Sequence, residues 1–309
     1  GRVIWGQSVE DVLQRDGLAP DLELRNAPRD IDIEWIHRRD QQVDIYFLAN
    51  LTDLETDIEV AFRVAGREPE LWDAVSGSIR ELPEFRQEDG RTRVPLRFAP
   101  KQSWFVVFRA QPKPGRGRKA KNFPALRQLD RVSGPWTVSF DERWGGPEHV
   151  VFQHLDDWTQ RPEPSIRYYS GTATYRNSFK VPRGRSRGVY LQLGEVKNLA
   201  QVRVNGHDAG IVWTAPWRVD IGKFVRAGDN ELEIEVVNLW PNRLIGDGDL
   251  PEDRRRTKTN VRTYEHELPA GFSCWWDPEC EERKKTGAPA KLLPSGLMGP
   301  VVLLSEEPG

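Results

Sequence analysis

Alternation with a period of two constrains this chain more than any other feature. In Ile58-Glu59-Val60-Ala61-Phe62-Arg63-Val64 apolar residues recur at every second position, and in residues 230–237 glutamates alternate with Leu232, Ile234 and Val236. Successive side chains of an extended strand point to opposite faces, so such a run buries one face and wets the other. The same signature marks residues 43–48, 92–98, 103–108, 136–140, 172–179, 189–193 and 301–304. Turn signals at Val75-Ser76-Gly77, Asp89-Gly90 and Ala99-Pro100 separate the runs at hairpin spacing. Asn205-Gly206, between residues 201–204 and 210–213, is the strongest short hairpin signal available. There is no long helical pattern and no internal repeat. The expected class is all-β: an immunoglobulin-like sandwich over residues 28–110, then a jelly roll over 123–309.

Two segments break this pattern. In residues 1–27, Arg2-Val3-Ile4-Trp5 reads as a short strand. Ser8 is placed to cap a helix beginning at Val9, and Gly17 to stop it. One β-α unit cannot bury its own faces, so this stretch is expected to be the tail of an α/β domain lying upstream. Residues 111–122 are rich in Pro, Gly, Lys and Arg and read as a solvated linker. A chain of 309 residues with 38% hydrophobic content has room for two domains. The net charge of −2, from 45 basic and 47 acidic side chains, argues against a bulk-basic nucleic-acid binder. No run of about 18 apolar residues is present, so no membrane-spanning helix is expected.

Several motifs carry a resemblance. Tyr169-Ser170-Gly171-Thr172-Ala173-Thr174-Tyr175-Arg176, Leu193-Gly194-Glu195-Val196, Val202-Arg203-Val204-Asn205-Gly206, Trp217-Arg218-Val219-Asp220-Ile221 and Ser295-Gly296-Leu297 occur in that order. The region containing them resembles the sugar-binding, galactose-binding-like domain of family-2-type glycoside hydrolases. Residues 212–220 and 238–247, with Trp35-Ile36-His37-Arg38-Arg39 and Pro69-Glu70-Leu71-Trp72-Asp73, resemble the C-terminal part of family-106 α-L-rhamnosidases. The resemblance implies an upstream catalytic barrel carrying the acid and base, a rhamnoside-containing glycan as carbohydrate partner, and a periplasmic or secreted location. No cofactor is expected. Phe272-Ser273-Cys274-Trp275-Trp276 departs from the shorter family loop, and no role is carried onto it.

The strand signal lapses between Trp240 and Leu297, and a long aromatic-rich loop is the place to look for function. An indole face stacks on the C–H face of a pyranose while Asn, Arg and Asp satisfy its hydroxyls. Trp240, Asn242, Arg243 and Asp247 supply that set, with Trp213 as a further platform. The alternative is a structural loop, with Trp240 in the core and Arg243–Asp247 an ordinary ion pair. An inverting glycosidase needs two carboxyls about 6.5–9.5 Å apart. Glu195, Asp220, Asp247, Asp249, Glu252 and Asp253 are at hand, but no spacing forces a pair, so no catalytic residue is expected here. His37 either faces the barrel or is a satisfied edge-strand histidine. Asp247-Gly248-Asp249 offers oxygen ligands that suit calcium, without further ligands in register. Cys274 and Cys280 are too few for a disulfide framework, and the sequence does not decide whether they pair.

Overall fold

A computed structural model describes residues 3–110, 120–184, 188–248, 250–257, 277–288 and 290–307. The chain divides into two compact units, the first running to Ala125 and the second spanning Leu126–Glu307. All strand pairing within the named sheets is antiparallel, as the hairpin spacing predicts.

The first unit is a sandwich of two sheets. Strands β1 (Leu22–Arg25), β4 (Thr56–Phe62), β7 (Arg86–Glu88) and β8 (Arg91–Phe98) form one, in the order β1-β4-β8-β7. Strands β2 (Ile33–Asp40), β3 (Val43–Asn50), β5 (Glu68–Trp72), β6 (Ile79–Glu81) and β9 (Ser103–Ala110) form the other, in the order β2-β3-β9-β5-β6. The inward residues Tyr46, Leu48, Val60, Phe62, Val94, Phe98, Val106 and Phe108 are wholly buried in a common cluster. Residues 1–27 differ from expectation in two ways. Val3–Trp5 is not a strand. Leu22–Arg25 pairs with β4 and buries Leu22, so the sandwich begins inside that segment. Four residues are too few for alternation to reveal an edge strand. The helix does form: α1 (Val9–Arg15) is capped by Ser8, whose hydroxyl accepts from the Asp11 amide at 3.1 Å. None of its residues is buried. The end of the expected linker is anchored on this unit, since buried Asn122 hydrogen-bonds Glu84 and Pro95; residues 111–119 lie outside the described residues.

The solvent side of the five-stranded sheet carries an apolar row. Ile36, Phe47, Phe105, Trp72 and Ile79 are successive cross-strand neighbours from β2 to β6. Ile36 and Ile79 are about half exposed, at 49% and 55%. Such a row on an outer sheet face is a surface that a partner covers or that function requires.

The second unit is the jelly roll. Its larger sheet contains β11 (Trp136–Phe140), β12 (Val150–Phe152), β13 (Thr172–Val181), β16 (Leu199–Val204), β17 (His207–Val212) and β19 (Gly228–Val237), in the order β12-β11-β13-β19-β16-β17. The second contains β10 (Leu126–Arg131), β14 (Val189–Gln192), β18 (Arg218–Asp220) and β21 (Val302–Glu306), in the order β10-β21-β14-β18. A two-stranded piece joins β15 (Glu195–Lys197) to β20 (Gly296–Gly299). Leu232, Ile234 and Val236 of β19 face the core, and the intervening glutamates form an outer ion-pair ladder with Arg176 and Arg203. Asn205 and Gly206, both at positive φ, make the predicted hairpin turn.

Gly194 shows how closely backbones meet in this unit. Its φ is +73°, and a Cβ there would lie 2.1 Å from the carbonyl carbon and oxygen of Gly299. Both the left-handed backbone and the missing volume require glycine. Gly194→Ala is expected to cost at least about 2 kcal/mol, read as a lowered urea midpoint for the second unit.

Candidate functional site

The loop that follows β19 is built from a short helix on a buried polar seam. α3 (Pro241–Gly248) starts with a proline, whose fixed φ suits the first helical position. Just before it, Asn238 is buried. Its amide donates to the Tyr169 carbonyl (2.8 Å) and the Ser295 hydroxyl (3.0 Å), and its carbonyl accepts from the Gly171 amide (2.9 Å). Asn242 extends the seam, donating to the Leu293 carbonyl at 2.7 Å and accepting from the Leu293 amide at 2.7 Å. Gly246 gives α3 its close approach, since a Cβ there would meet the Tyr168 ring at 2.6 Å.

Arg243 and Asp247 lie one helical turn apart and are both almost wholly buried. Arg243 Nη2 is 2.6 Å from Asp247 Oδ1. Asp247 Oδ2 accepts from the Arg256 amide (3.0 Å), the Thr257 amide (2.8 Å) and the Thr257 hydroxyl (2.7 Å). Asn242, Arg243 and Asp247 are thus held inside the unit by contacts that tie the chain around α3, with Arg243 Nε left buried without a hydrogen-bond partner. Only Trp240 and Trp213 of the expected set face solvent, at 47% and 55% exposed. Trp213 directly follows β17, whose Ile211 is also exposed.

Trp240 has a partner that sequence reasoning missed. Trp144 meets it edge-to-face, with ring centroids 4.9 Å apart and planes at 74°. The turn carrying Trp144 is capped by Asp141, which accepts from the Arg143 amide, and Gly145 closes it at φ +82°. Asp-x-x-x-Gly around an aromatic was the available signal, but residues 141 and 240 are far apart in sequence.

Other candidates fall into structural settings. Glu195 pairs with Lys197 at 2.7 Å, and Asp220 accepts from the Gly222 amide at 2.8 Å. Asp156 is the carboxyl whose affinity for protons rises most clearly through burial, opposed by Arg161. Arg161 lies 3.4 Å from Asp156 and 3.0 Å from Glu163, so one guanidinium engages both acids. His37 is a satisfied histidine: its two ring nitrogens lie 2.6 and 3.0 Å from Asp21 and Asp44, and its ring stacks on Tyr46. Cys280, buried at the start of α4 (Cys280–Thr286), is disulfide-bonded. Cys274, Trp275, Trp276 and Asp249 lie outside the described residues. Among the described residues no three His, Cys, Asp or Glu side chains converge as a metal-ligand set.

Both units are similar to regions of known glycoside hydrolases. Residues 1–87 match the α-L-rhamnosidase family model of glycoside hydrolase family 106, and residues 156–268 match the galactose-binding-like domain of glycosyl hydrolase family 2. The likeness read from the motifs therefore holds in both units. Among solved structures, the rhamnosidase from Novosphingobium sp. PP1Y is 38% identical, with a TM-score of 0.83. The alignment covers 99% of this chain and 27% of that one. A putative beta-glucuronidase from Formosa agariphila is 35% identical over 196 residues, which is 59% of this chain and 16% of that protein. The chain thus spans a minor part of the length of both relatives.

Proposed function

We propose that this chain is the non-catalytic β-sandwich region of a larger rhamnosidase-like glycoside hydrolase, which packs on the catalytic domain and helps to bind the sugar. The observation that carries this reading is the apolar surface of the first unit. Val3, Trp5, Val9, Leu13 and Leu18 are exposed around a helix that buries none of its own residues, and the row from Ile36 to Ile79 is a second such surface. Exposed apolar area of this kind marks an interface. The occupant proposed is a catalytic α/β domain of the same polypeptide, because the similar Novosphingobium rhamnosidase has most of its length outside the matched part. The second unit contributes Trp240 and Trp213 as stacking surfaces, with Asn242, Arg243 and Asp247 fixing the loop that presents Trp240. The glycan proposed contains rhamnose, and the enzyme would act in the periplasm or outside the cell.

The exposed Trp213 and Trp240 also favour a second reading, an autonomous carbohydrate-binding module. Calorimetric titration of the chain with L-rhamnose and a rhamnosyl disaccharide, beside an assay on a chromogenic α-L-rhamnoside, tests both. The expected result is weak binding without hydrolysis, with Trp5→Ser and Ile36→Ser disturbing only the full-length polypeptide. Hydrolysis by this chain alone would overturn the non-catalytic role. Tight binding that is the same in the chain and in the full-length polypeptide would favour the autonomous module.

A further inference from the structure

We propose that Trp144, Trp240 and Arg256 form a subsite for an anionic sugar residue, one carrying a carboxylate or sulfate. The proposal rests on the sugar-binding reading above and names the chemistry of the residue bound. Trp240 and Trp144 meet at 74° and form an aromatic corner, with Trp240 open to solvent. An indole face takes the C–H side of a pyranose whatever its charge. Charge discrimination comes from Arg256. Its Nη1 donates to the Arg143 carbonyl at 3.2 Å, and its guanidinium lies on Gly145, where a Cβ would come within 2.4 Å of Arg256 Nε. Arg256 therefore packs across the two residues that flank Trp144.

Its position is built. The Arg256 and Thr257 amides are both held by Asp247 Oδ2, so the segment is fastened to the helix that Trp240 precedes. The neighbouring Arg143 is already paired with Asp141 at 2.6 Å. Among the described residues no carboxylate pairs with Arg256, and its side chain is exposed. A guanidinium fork set on the turn that carries Trp144 matches a carboxylate or sulfate borne by a ring stacked in the corner. A neutral sugar would gain the stacking and leave the fork in water.

The test is calorimetric titration of the whole chain with three probes: a rhamnosyl–glucuronic acid disaccharide, its carboxyl-reduced counterpart and a sulfated counterpart. The native chain is expected to bind an anionic probe about tenfold more tightly than the neutral one. The two anionic arms show which group is preferred. Arg256→Gln should bring anionic and neutral affinities together, and Arg256→Lys should restore only part of the preference. Arg143→Gln should leave the preference in place, and Trp240→Ala should abolish binding of all three. Equal binding of charged and neutral probes, or a preference that survives Arg256→Gln, would overturn the anionic subsite while leaving the sugar-binding reading intact. Binding of no probe by the native chain would overturn both.

Discussion

Asp247→Ala is expected to destabilise the second unit by about 3–5 kcal/mol, the range for removing one partner of a buried ion pair. The substitution strands the buried Arg243 guanidinium and leaves the Arg256 and Thr257 donors without their acceptor. Urea unfolding followed by tryptophan fluorescence measures it, with the second unit expected to unfold at lower denaturant. Asp247→Asn should lose less, because an amide oxygen still accepts from the backbone. The double variant Arg243→Met/Asp247→Leu should recover the part of the loss that comes from the stranded charge, while the Arg256 and Thr257 donors stay without an acceptor. A direct sugar ligand would behave differently: Asp247→Ala would then unfold like the native chain and lose only binding.

Trp158→Ala is expected to cost about 3–5 kcal/mol as a large cavity in the same core. Trp158 is wholly buried, packed edge-on against Phe140 and Tyr169 with centroids at 5.2 and 5.8 Å. Its indole N–H donates to the Tyr175 hydroxyl at 2.5 Å, and its backbone amide to the Ser295 carbonyl at 2.9 Å. Gly296 lies against the ring, where a Cβ would come within 2.5 Å of the indole nitrogen. The loss therefore removes the ring that joins β13, β20 and the turn at residues 158–160. It also leaves the Tyr175 hydroxyl, whose ionisation burial already suppresses, with only the long contact from the Leu297 amide at 3.4 Å as donor. Trp158→Phe should lose less, because a ring still fills most of the volume. A midpoint within error of the native one in the alanine variant would contradict this account of the core.

The two predictions fall on residues that the sequence presented very differently. Trp158 lies in a stretch without alternation, between strands, and nothing in its neighbours marks it as a central core ring. Asp247 stood out among polar residues in a loop, where ligand contact and ion pairing were equally open. Asn242 is set in the seam made by Asn238 and Ser295, residues 57 apart in sequence, and Asp247 is held by Arg243 and by donors at 256 and 257. A contact of that separation leaves no periodic trace. Trp240 is exposed, but its partner Trp144 comes from the turn between β11 and β12, nearly a hundred residues away.

Local sequence pattern was enough to set the class of the fold. Alternation is a local property with a period of two, so strands such as residues 136–140 and 230–237 can be read without knowing what they pair with. The Asn205-Gly206 hairpin and the Ser8 cap are local for the same reason, since backbone geometry at one or two positions selects the residue. The tertiary fold sets the rest: which strand Leu22–Arg25 joins as an edge, which polar residues of the α3 loop turn inward, and which aromatic side chain meets Trp240. Those outcomes depend on contacts between distant segments, where burial converts a polar side chain from a possible ligand into a part of the frame.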